Sequence, residues 1–230
     1  MKIAGILFDK DGTLFDFDKT WGVITKAIIE QECGEDPEKT GELAQVLGFD
    51  MIRSVFLPGS LVIAETSEVV ATAILPFTKD QDTAALMARM KAATANVEQI
   101  QVADLKALFG DLQRRGLTLG VATNDSEKPA RANLAQAGVL DAFDFIAGFD
   151  SGFGAKPDTG QLMAFCRQQN LSPGQCVMVG DSLHDLHAGR SAGMRTIGVL
   201  TGPASRADLT PDANIVLDTI ADIPAWLDAQ

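Results

Sequence analysis

Short apolar runs alternate with helical patterns from residue 102 to the end of the chain, and this alternation limits the possible folds. The predicted strands cover residues 117–122, 145–147, 176–179 and 196–200, with a further candidate at 215–217. Predicted helices lie between them, at 105–115, 127–137, 159–169 and 185–192. Because strands that alternate with helices form βαβ units, the pattern predicts an α/β fold built on a parallel sheet.

The segment after the first predicted strand, residues 3–8, has a different pattern, with apolar residues three and four positions apart as in amphipathic helices. Helices are predicted from an Asp18 cap to Gly34, from Asp36-Pro37 through Leu43, Val46 and Leu47, over 69–74 behind Thr66 or Ser67, and over 82–97. This block has no clear strand, although residues 61–63 are ambiguous. We therefore expect a Rossmann-like parallel-sheet core, residues 1–15 and 102–230, with an α-helical domain inserted at 16–101.

Composition and charge exclude several classes of protein. With a net charge of −12 and no cluster of lysines and arginines, the chain is not expected to bind nucleic acid or an anionic membrane. The three cysteines are widely spaced, which disfavours a disulfide framework or a zinc site and fits a reducing compartment. Without a signal-peptide pattern or an apolar run of membrane-spanning length, the cytoplasm is the expected location. The oligomeric state is left unknown.

Two aspartates directly follow the first predicted strand. The apolar residues 6–8 are followed by Asp9-Lys10-Asp11-Gly12-Thr13. Ligand sites in open α/β sheets lie at the carboxyl ends of strands, where carboxylates can hold a hard cation or do covalent chemistry. Taken alone, the motif fits a polar turn equally well, because Asp and Gly are common turn residues.

Polar residues also follow later predicted strands. Thr123-Asn124 come after 117–122, Lys156-Pro157 come after a glycine-rich loop, and Asp181 with Asp185 come after 176–179. Each segment alone is explained by a turn, a solvated lysine or a helix cap. Because parallel strands end at one edge of the sheet, we expect all these groups to converge.

Together the motifs resemble the haloacid dehalogenase-like hydrolase superfamily, and within it the phosphoglycolate phosphatase-like branch. The matching segments are Asp9-Lys10-Asp11-Gly12-Thr13-Leu14, Thr123-Asn124, Lys156-Pro157 and Gly180-Asp181-Ser182-Leu183-His184-Asp185. The resemblance covers the predicted core well and the insertion only by position and length. It implies a Mg²⁺-dependent phosphoric monoester hydrolase that acts on a small phosphorylated metabolite.

The resemblance also implies roles for the acidic residues. Asp9 is the expected nucleophile, which forms an aspartyl-phosphate that water then cleaves. Asp11 is the expected general acid and base, and an acidic residue at this position distinguishes phosphatases from the family's dehalogenases. The Asp9 carboxylate, the Asp11 main-chain carbonyl and Asp181 are expected to hold Mg²⁺, with Asp185 supporting the metal site.

The remaining matching residues are expected to hold the phosphate. Lys156 would supply positive charge beside Asp9 and stabilise charge in the transition state. The Thr123 hydroxyl, with main-chain donors near Gly12 and Asn124, would bind phosphoryl oxygens. His184 and His187 are interpreted as surface or packing residues and not as metal ligands, and Met87 and Met90 as packing residues.

The inserted segment resembles the family's α-helical cap, which would close over the site and exclude water. Candidates for substrate selection, by position only, are Asp16, Asp18, Lys19, Trp21 and Arg53. Two alternative functions stay open: a phosphomutase of the same superfamily, which shares every core residue named above, and a sensing module that is phosphorylated on aspartate.

Overall fold

A computed structural model describes residues 2–57, 59–79, 81–94 and 99–230. The chain divides into two compact units: a core unit, Met1–Asp16 with Gln101–Gln230, and an inserted unit, Phe17–Ile100. The predicted boundaries, 15/16 and 101/102, differ from these divisions by one residue each. That the inserted unit acts as a cap stays a proposal.

The strands and helices are distributed over both units. The strands are β1 (Gly5–Phe8), β2 (Phe49–Asp50), β3 (Val55–Phe56), β4 (Thr118–Ala122), β5 (Phe145–Ala147), β6 (Cys176–Gly180), β7 (Arg195–Val199) and β8 (Ile215–Leu217). The α-helices are α1 (Phe17–Cys33), α2 (Pro37–Leu47), α3 (Leu61–Ala64), α4 (Ser67–Ile74), α5 (Thr83–Thr94), α6 (Leu105–Arg114), α7 (Glu127–Gln136), α8 (Gly160–Gln168), α9 (Leu183–Ser191), α10 (Arg206–Leu209) and α11 (Ile223–Asp228). Short 3₁₀ helices cover Leu75–Phe77, Leu140–Ala142, Pro173–Gln175 and Ile220–Asp222.

A parallel sheet forms the centre of the core unit. Within the described part of the chain its strand order is β5-β4-β1-β6-β7-β8, and each pair of neighbours is parallel. The chain therefore runs from β1 outward through β4 to β5, and then crosses back to β6 on the other side of β1. This arrangement confirms the predicted α/β fold with a Rossmann-like sheet.

Both faces of the sheet are covered, and its strands are accordingly mostly apolar. Along β1, Ile6 and Phe8 belong to one buried cluster, while Leu7 belongs to another. The first cluster contains side chains of α6, such as Phe109, and the second contains side chains of α8, such as Phe165. The alternation follows from the two-residue period of a strand, which sends successive side chains to opposite faces.

The inserted unit corrects three expectations. A short antiparallel pair, β2 with β3, lies in a block predicted to be all helical. Two-residue strands are too short for a periodic signal, and the turn between them is set by the Asp50 carboxylate, which accepts the N–H of Ile52 and of Arg53. Asp18 lies inside α1 instead of capping it, and its carboxylate accepts the N–H of Phe56. Val46 is 42% exposed and is not among the described residues that form the apolar core of the unit.

Other expected boundaries of the inserted unit agree with the structure. Asp36 caps α2, accepting the N–H of Glu38 and of Lys39, and Pro37 is the first helical residue. The ambiguous residues 61–63 form the helix α3. Helix α5 begins at Thr83, and the predicted end at Val97 lies outside the described residues. Met87 and Met90 pack against the apolar core of the unit.

Two elements of the core unit, α10 and α11, were not predicted, because both are short and follow the last strong strand signals. The three cysteines are free and buried, and the Sγ atoms of Cys166 and Cys176 are 3.8 Å apart. Among the described residues, none of the helices combines the length and apolar character needed to cross a bilayer.

Candidate active site

The register of the sheet brings several strand ends to one edge. Phe8, the last residue of β1, is paired with Val121 of β4 and with Val179 of β6. Asp9 therefore leaves the sheet level with both neighbouring strands, where Thr123 and Asp181 follow. This edge lies at the switch in strand order beside β1, which is where open α/β sheets bind ligands.

Three carboxylates and one ammonium group meet at this edge, in what we call the acidic cluster: Asp9, Asp181, Asp185 and Lys156. Carboxylate oxygens of the three aspartates lie within 4.8 Å of one another. The Lys156 Nζ lies 2.6 Å from Asp9 Oδ1 and 2.6 Å from Asp185 Oδ1. All four residues are buried. Because buried charges of one sign repel, this cluster favours an added cation.

Asp185 serves both the acidic cluster and the start of α9. Its Oδ2 accepts the N–H and the hydroxyl of Ser182, at 3.1 and 2.7 Å, in a capping box. Its Oδ1 accepts a hydrogen bond from Lys156. The two interpretations of this residue, helix cap and site residue, are therefore compatible, and the cap fixes the carboxylate that holds the lysine.

The loop after β1 folds closely against Asp181. Gly12 has a φ of 82°, in the left-handed region that favours glycine, and its N–H donates to the Phe15 carbonyl at 2.7 Å. A Cβ on Gly12 would overlap the Asp181 carboxylate. The Thr13 hydroxyl donates to Asp181 Oδ1 at 3.2 Å. The loop thus needs glycine at this point, and Thr13 orients the aspartate.

Two residues that the sequence analysis did not single out complete the surroundings of Asp181. The Thr201 hydroxyl donates to the Gly12 carbonyl at 2.6 Å, and a Cβ on Gly202 would overlap the Asp181 carboxylate. Both residues follow β7 at the same edge of the sheet. The strand-end argument that indicated Asp181 therefore applied to them as well.

Asn124 holds the main chain of Lys156. Its side-chain amide donates to the Lys156 carbonyl at 2.9 Å, and its Oδ1 accepts the Lys156 N–H at 2.8 Å. The Thr123 hydroxyl oxygen accepts the Asp125 N–H at 3.0 Å, and Gln161 donates to the Thr123 carbonyl. The Asn124 side chain thereby positions the lysine, while the expected binding of phosphoryl oxygens by Thr123 and Asn124 stays a proposal.

One comparison decides the family of this chain. A sequence model described as haloacid dehalogenase-like hydrolase matches residues 6–199, from β1 through β7. The chain belongs to this family. The match contains every residue of the acidic cluster, and it confirms the resemblance that the motifs indicated.

Two curated relatives of this hydrolase are named phosphatases. The phosphoglycolate phosphatase of Rhodospirillum rubrum is 35% identical over 121 residues, covering 53% of this chain and half of the relative's own length. The N-acetylmuramic acid 6-phosphate phosphatase of Pseudomonas putida is 27% identical over 229 residues, covering 99% of this chain and 95% of the relative. These similarities agree with the resemblance of the motifs to the phosphoglycolate phosphatase-like branch.

A solved structure supports the fold. The hydrolase superposes with a TM-score of 0.76 on a protein of Haemophilus somnus 129pt described as a predicted phosphoglycolate phosphatase, at 20% identity and 98% coverage of both chains. At this identity the similarity concerns the fold alone, and it confirms the α/β architecture.

Burial and mutual repulsion shift the proton affinities of the acidic cluster. Burial raises the pKa of Asp9; Lys156 lowers it, and Asp185 and Asp11 raise it further. Burial also raises the pKa of Asp181, with Asp9 and Asp185 acting in the same direction. Burial alone would lower the pKa of Lys156, but Asp185 and Asp9 raise it above its ordinary value. The lysine therefore stays charged while the carboxylates of this hydrolase compete for protons.

The donor set fits Mg²⁺. Carboxylate oxygens are the hard ligands that this ion prefers, and positive charge would relieve the repulsion that raises the pKa values of Asp9 and Asp181. Both oxygens of Asp185 already accept hydrogen bonds, from Lys156 and from Ser182. Asp9 and Asp181 are therefore the better candidates for direct ligands, with Asp185 in support.

The carboxylate of Asp11 faces a lysine that the sequence analysis passed over. The Lys10 side chain is 0% exposed, and its Nζ lies 2.7 Å from Asp11 Oδ2 and 3.3 Å from Asp125 Oδ2. A lysine between two motif aspartates would ordinarily be taken as solvated. Its burial could have been inferred from its position, because Lys10 lies between a buried strand and the predicted site, where little water has access.

The two histidines of α9 lie apart from the acidic cluster's contacts. His187 is exposed, and its Nε2 lies 3.1 Å from Asp212 Oδ2. His184 is half-buried. His187 is therefore a surface residue, as the sequence analysis expects, and its partner is Asp212.

Proposed function

We propose that this hydrolase is a Mg²⁺-dependent phosphatase that acts on a small phosphomonoester, such as phosphoglycolate or a sugar phosphate. The observation that carries the proposal is the convergence of three buried carboxylates with Lys156 at the carboxyl edge of the sheet. The names of the relatives, phosphatases for phosphoglycolate and for N-acetylmuramic acid 6-phosphate, support this substrate class.

In the proposed reaction, a carboxylate oxygen of Asp9 attacks phosphorus, and the bond between phosphorus and the ester oxygen breaks. Asp11 donates a proton to the departing oxygen. Asp11 then accepts a proton from the water that attacks the aspartyl-phosphate, which releases phosphate and restores Asp9. A reactive acyl-phosphate thus divides one difficult hydrolysis into two easier steps.

Positive charge is needed because an anionic ester must approach a group of carboxylates. Lys156 supplies one fixed charge beside Asp9, and its main chain is held by Asn124. Mg²⁺ bound to Asp9 and Asp181 would neutralise carboxylate and phosphoryl oxygens. Thr123 and main-chain N–H groups near Gly12 and Asn124 would orient the phosphoryl group.

We further propose that the inserted unit is the cap that selects the substrate. Of its candidate residues, Asp18 is engaged by the Phe56 N–H, whereas the Arg53 side chain is 80% exposed. Arg53 is therefore the better candidate for contact with an anionic substrate. Substitution of Arg53 by Ala is expected to raise KM for the physiological ester.

The proposal is tested by phosphate release from p-nitrophenyl phosphate and from a panel of small phosphomonoesters, with Mg²⁺ or with EDTA. We expect turnover only with Mg²⁺, and none for Asp9→Asn. For Asp11→Asn we expect kcat to fall by about 10²–10⁴-fold, the usual contribution of general acid–base catalysis, with little change in the Mg²⁺ concentration for half-maximal rate.

Asp141→Asn is the matched control, because it makes the same change of charge at an exposed aspartate of the core unit. It should leave turnover unchanged. Conversion of a phosphosugar to its isomer without phosphate release would instead support the phosphomutase. Stable labelling of Asp9 without turnover would support the sensing module, and near-normal turnover by Asp11→Asn would contradict the proton-transfer role.

A further inference from the structure

Lys10 is a buried cation whose contacts come from three parts of the core unit. Its Nζ lies 2.7 Å from Asp11 Oδ2 and 2.8 Å from Asp11 Oδ1, so it touches both oxygens of that carboxylate. It also lies 3.3 Å from Asp125 Oδ2, in the loop after β4, and 3.4 Å from Asn133 Oδ1, in α7. The ammonium group is thereby held by two further segments besides that of Asp11.

This arrangement differs from an ordinary surface ion pair. The Lys10 side chain is fully buried, and the exposed fractions of the Asp11 and Asp125 side chains are 14% and 15%. A buried ammonium is stable only while its partners remain in place, because an unpaired buried charge is costly. A contact with both carboxylate oxygens also restrains the direction of the Asp11 side chain more than a single hydrogen bond would.

We propose that Lys10 is the positioning residue of the general acid and base, holding the Asp11 carboxylate in one orientation, with Asp125 and Asn133 as its anchors. The inference rests on the proposed function, which assigns the proton transfers to Asp11. A proton donor acts on the transition state only if it is correctly placed, and a misplacement of about 1 Å costs on the order of 10²-fold in rate.

The leaving group provides the decisive test. A p-nitrophenolate departs with little help, whereas an alkoxide must receive a proton as it leaves, so only alkyl esters depend strongly on a well-placed acid. For Lys10→Met we expect kcat/KM to fall by about 10²-fold with an alkyl phosphate and much less with p-nitrophenyl phosphate. Lys10→Arg, which keeps a cation, should recover part of the loss with the alkyl ester.

A double-mutant cycle then asks whether Lys10 acts through Asp11. When the acid is already removed by Asp11→Asn, Lys10→Met should produce little further loss, whereas independent effects would multiply. Arg115→Met is the matched control, because Arg115 also pairs with two aspartates of the core unit, Asp111 and Asp228. It should lower neither kcat/KM value, whatever it does to the melting temperature.

The inference and the proposed function fail in different ways. Absence of hydrolysis of both esters by the wild type would overturn the proposed function. Wild-type hydrolysis with equal losses for both esters in Lys10→Met, or with losses that multiply with Asp11→Asn, would overturn the role of Lys10 alone. A crystal structure of Lys10→Met should show Asp11 in a second orientation, and an unchanged Asp11 would also contradict the inference.

If Lys10→Met does not fold, Asp125→Asn tests the same point, because it removes one anchor and leaves the contact between Lys10 and Asp11. We then expect a smaller loss that is still greater for the alkyl ester than for p-nitrophenyl phosphate. Equal losses for the two esters would again overturn the inference.

Discussion

The side chains of the acidic cluster have opposing effects on stability: the carboxylates repel one another, and Lys156 attracts them. Lys156 neutralises part of the charge of Asp9 and Asp185, and its own burial is tolerated because both partners are 2.6 Å away. Asp181 is held by the Thr13 hydroxyl, which is uncharged. Among the described residues, the cluster therefore combines one lysine with three carboxyl groups, which favours a cationic ligand.

Lys156→Met is expected to destabilise the metal-free protein by about 3–5 kcal/mol, because it leaves buried carboxylates without their partner. Adding Asp185→Asn should restore part of this loss, since it removes one of the uncompensated charges. Urea unfolding in EDTA measures both effects. Lys106→Met, at an exposed position, is the control and should change stability by less than about 0.5 kcal/mol. A Lys156→Met protein as stable as the wild type would show that the lysine does not balance the cluster.

Strands and helices contribute residues to the site at their ends. The sequence predicts which residues lie at strand ends, and therefore predicts these site residues. Asp9, Thr123 and Asp181 follow from one rule, the convergence of strand ends in a parallel sheet. The contacts that orient them could not be predicted in the same way. That Asn124 binds the main chain of Lys156, and that Lys10 turns toward Asp125, depends on loop conformations set by packing across distant segments.

The inserted unit shows a related limit. Caps such as Asp36 with Pro37 leave a local signature and were predicted. The β2–β3 pair was missed because two-residue strands carry no periodicity, and Asp18 was misassigned because a carboxylate near a helix start can bond to another segment. Hydrogen bonds between residues close in sequence, such as helix caps, could be predicted. Hydrogen bonds between residues distant in sequence, such as that of Asp18 with Phe56, could not.

The loop after β7 approaches Asp181 closely at Gly202, and a substitution there tests this contact. Gly202→Ala should displace the Asp181 carboxylate, since the added Cβ would overlap it, and should raise the Mg²⁺ concentration for half-maximal rate. Gly110→Ala, inside α6 with only the end of the flexible Arg114 side chain near the added Cβ, is the control. It should stabilise the protein by about 0.5–1 kcal/mol and leave the Mg²⁺ dependence unchanged. Equal Mg²⁺ dependence in both variants would contradict the close approach.

The molecule as a whole should respond to pH through its acidic cluster. In the absence of a cation, burial raises the pKa values of Asp9 and Asp181 in the folded protein above those of the unfolded chain. The folded state then binds more protons than the unfolded state, so this contribution to stability is present at low pH and is lost as pH rises.

We therefore expect the melting temperature in EDTA to decrease from about pH 5 to pH 8. Mg²⁺ takes the place of the protons, so the gain in melting temperature on adding Mg²⁺ should increase over the same range. Thermal unfolding at several pH values, with Mg²⁺ and with EDTA, measures both trends. Asp181→Asn should reduce the pH slope and the gain together, and a gain independent of pH would count against the metal site.

The position of β1 between β4 and β6 has a consequence for synthesis on the ribosome. Phe8 pairs with Val121 and with Val179, so the central strand acquires its second neighbour only after most of the chain has been made. At 5–20 residues per second, roughly ten to thirty seconds separate the synthesis of Phe8 from that of Val179. During that interval the nascent chain carries the first aspartate without the later ones, while residues 17–100 are already available to fold. The ribosome therefore synthesises β6, and the aspartates that follow it, long after the central strand that they join.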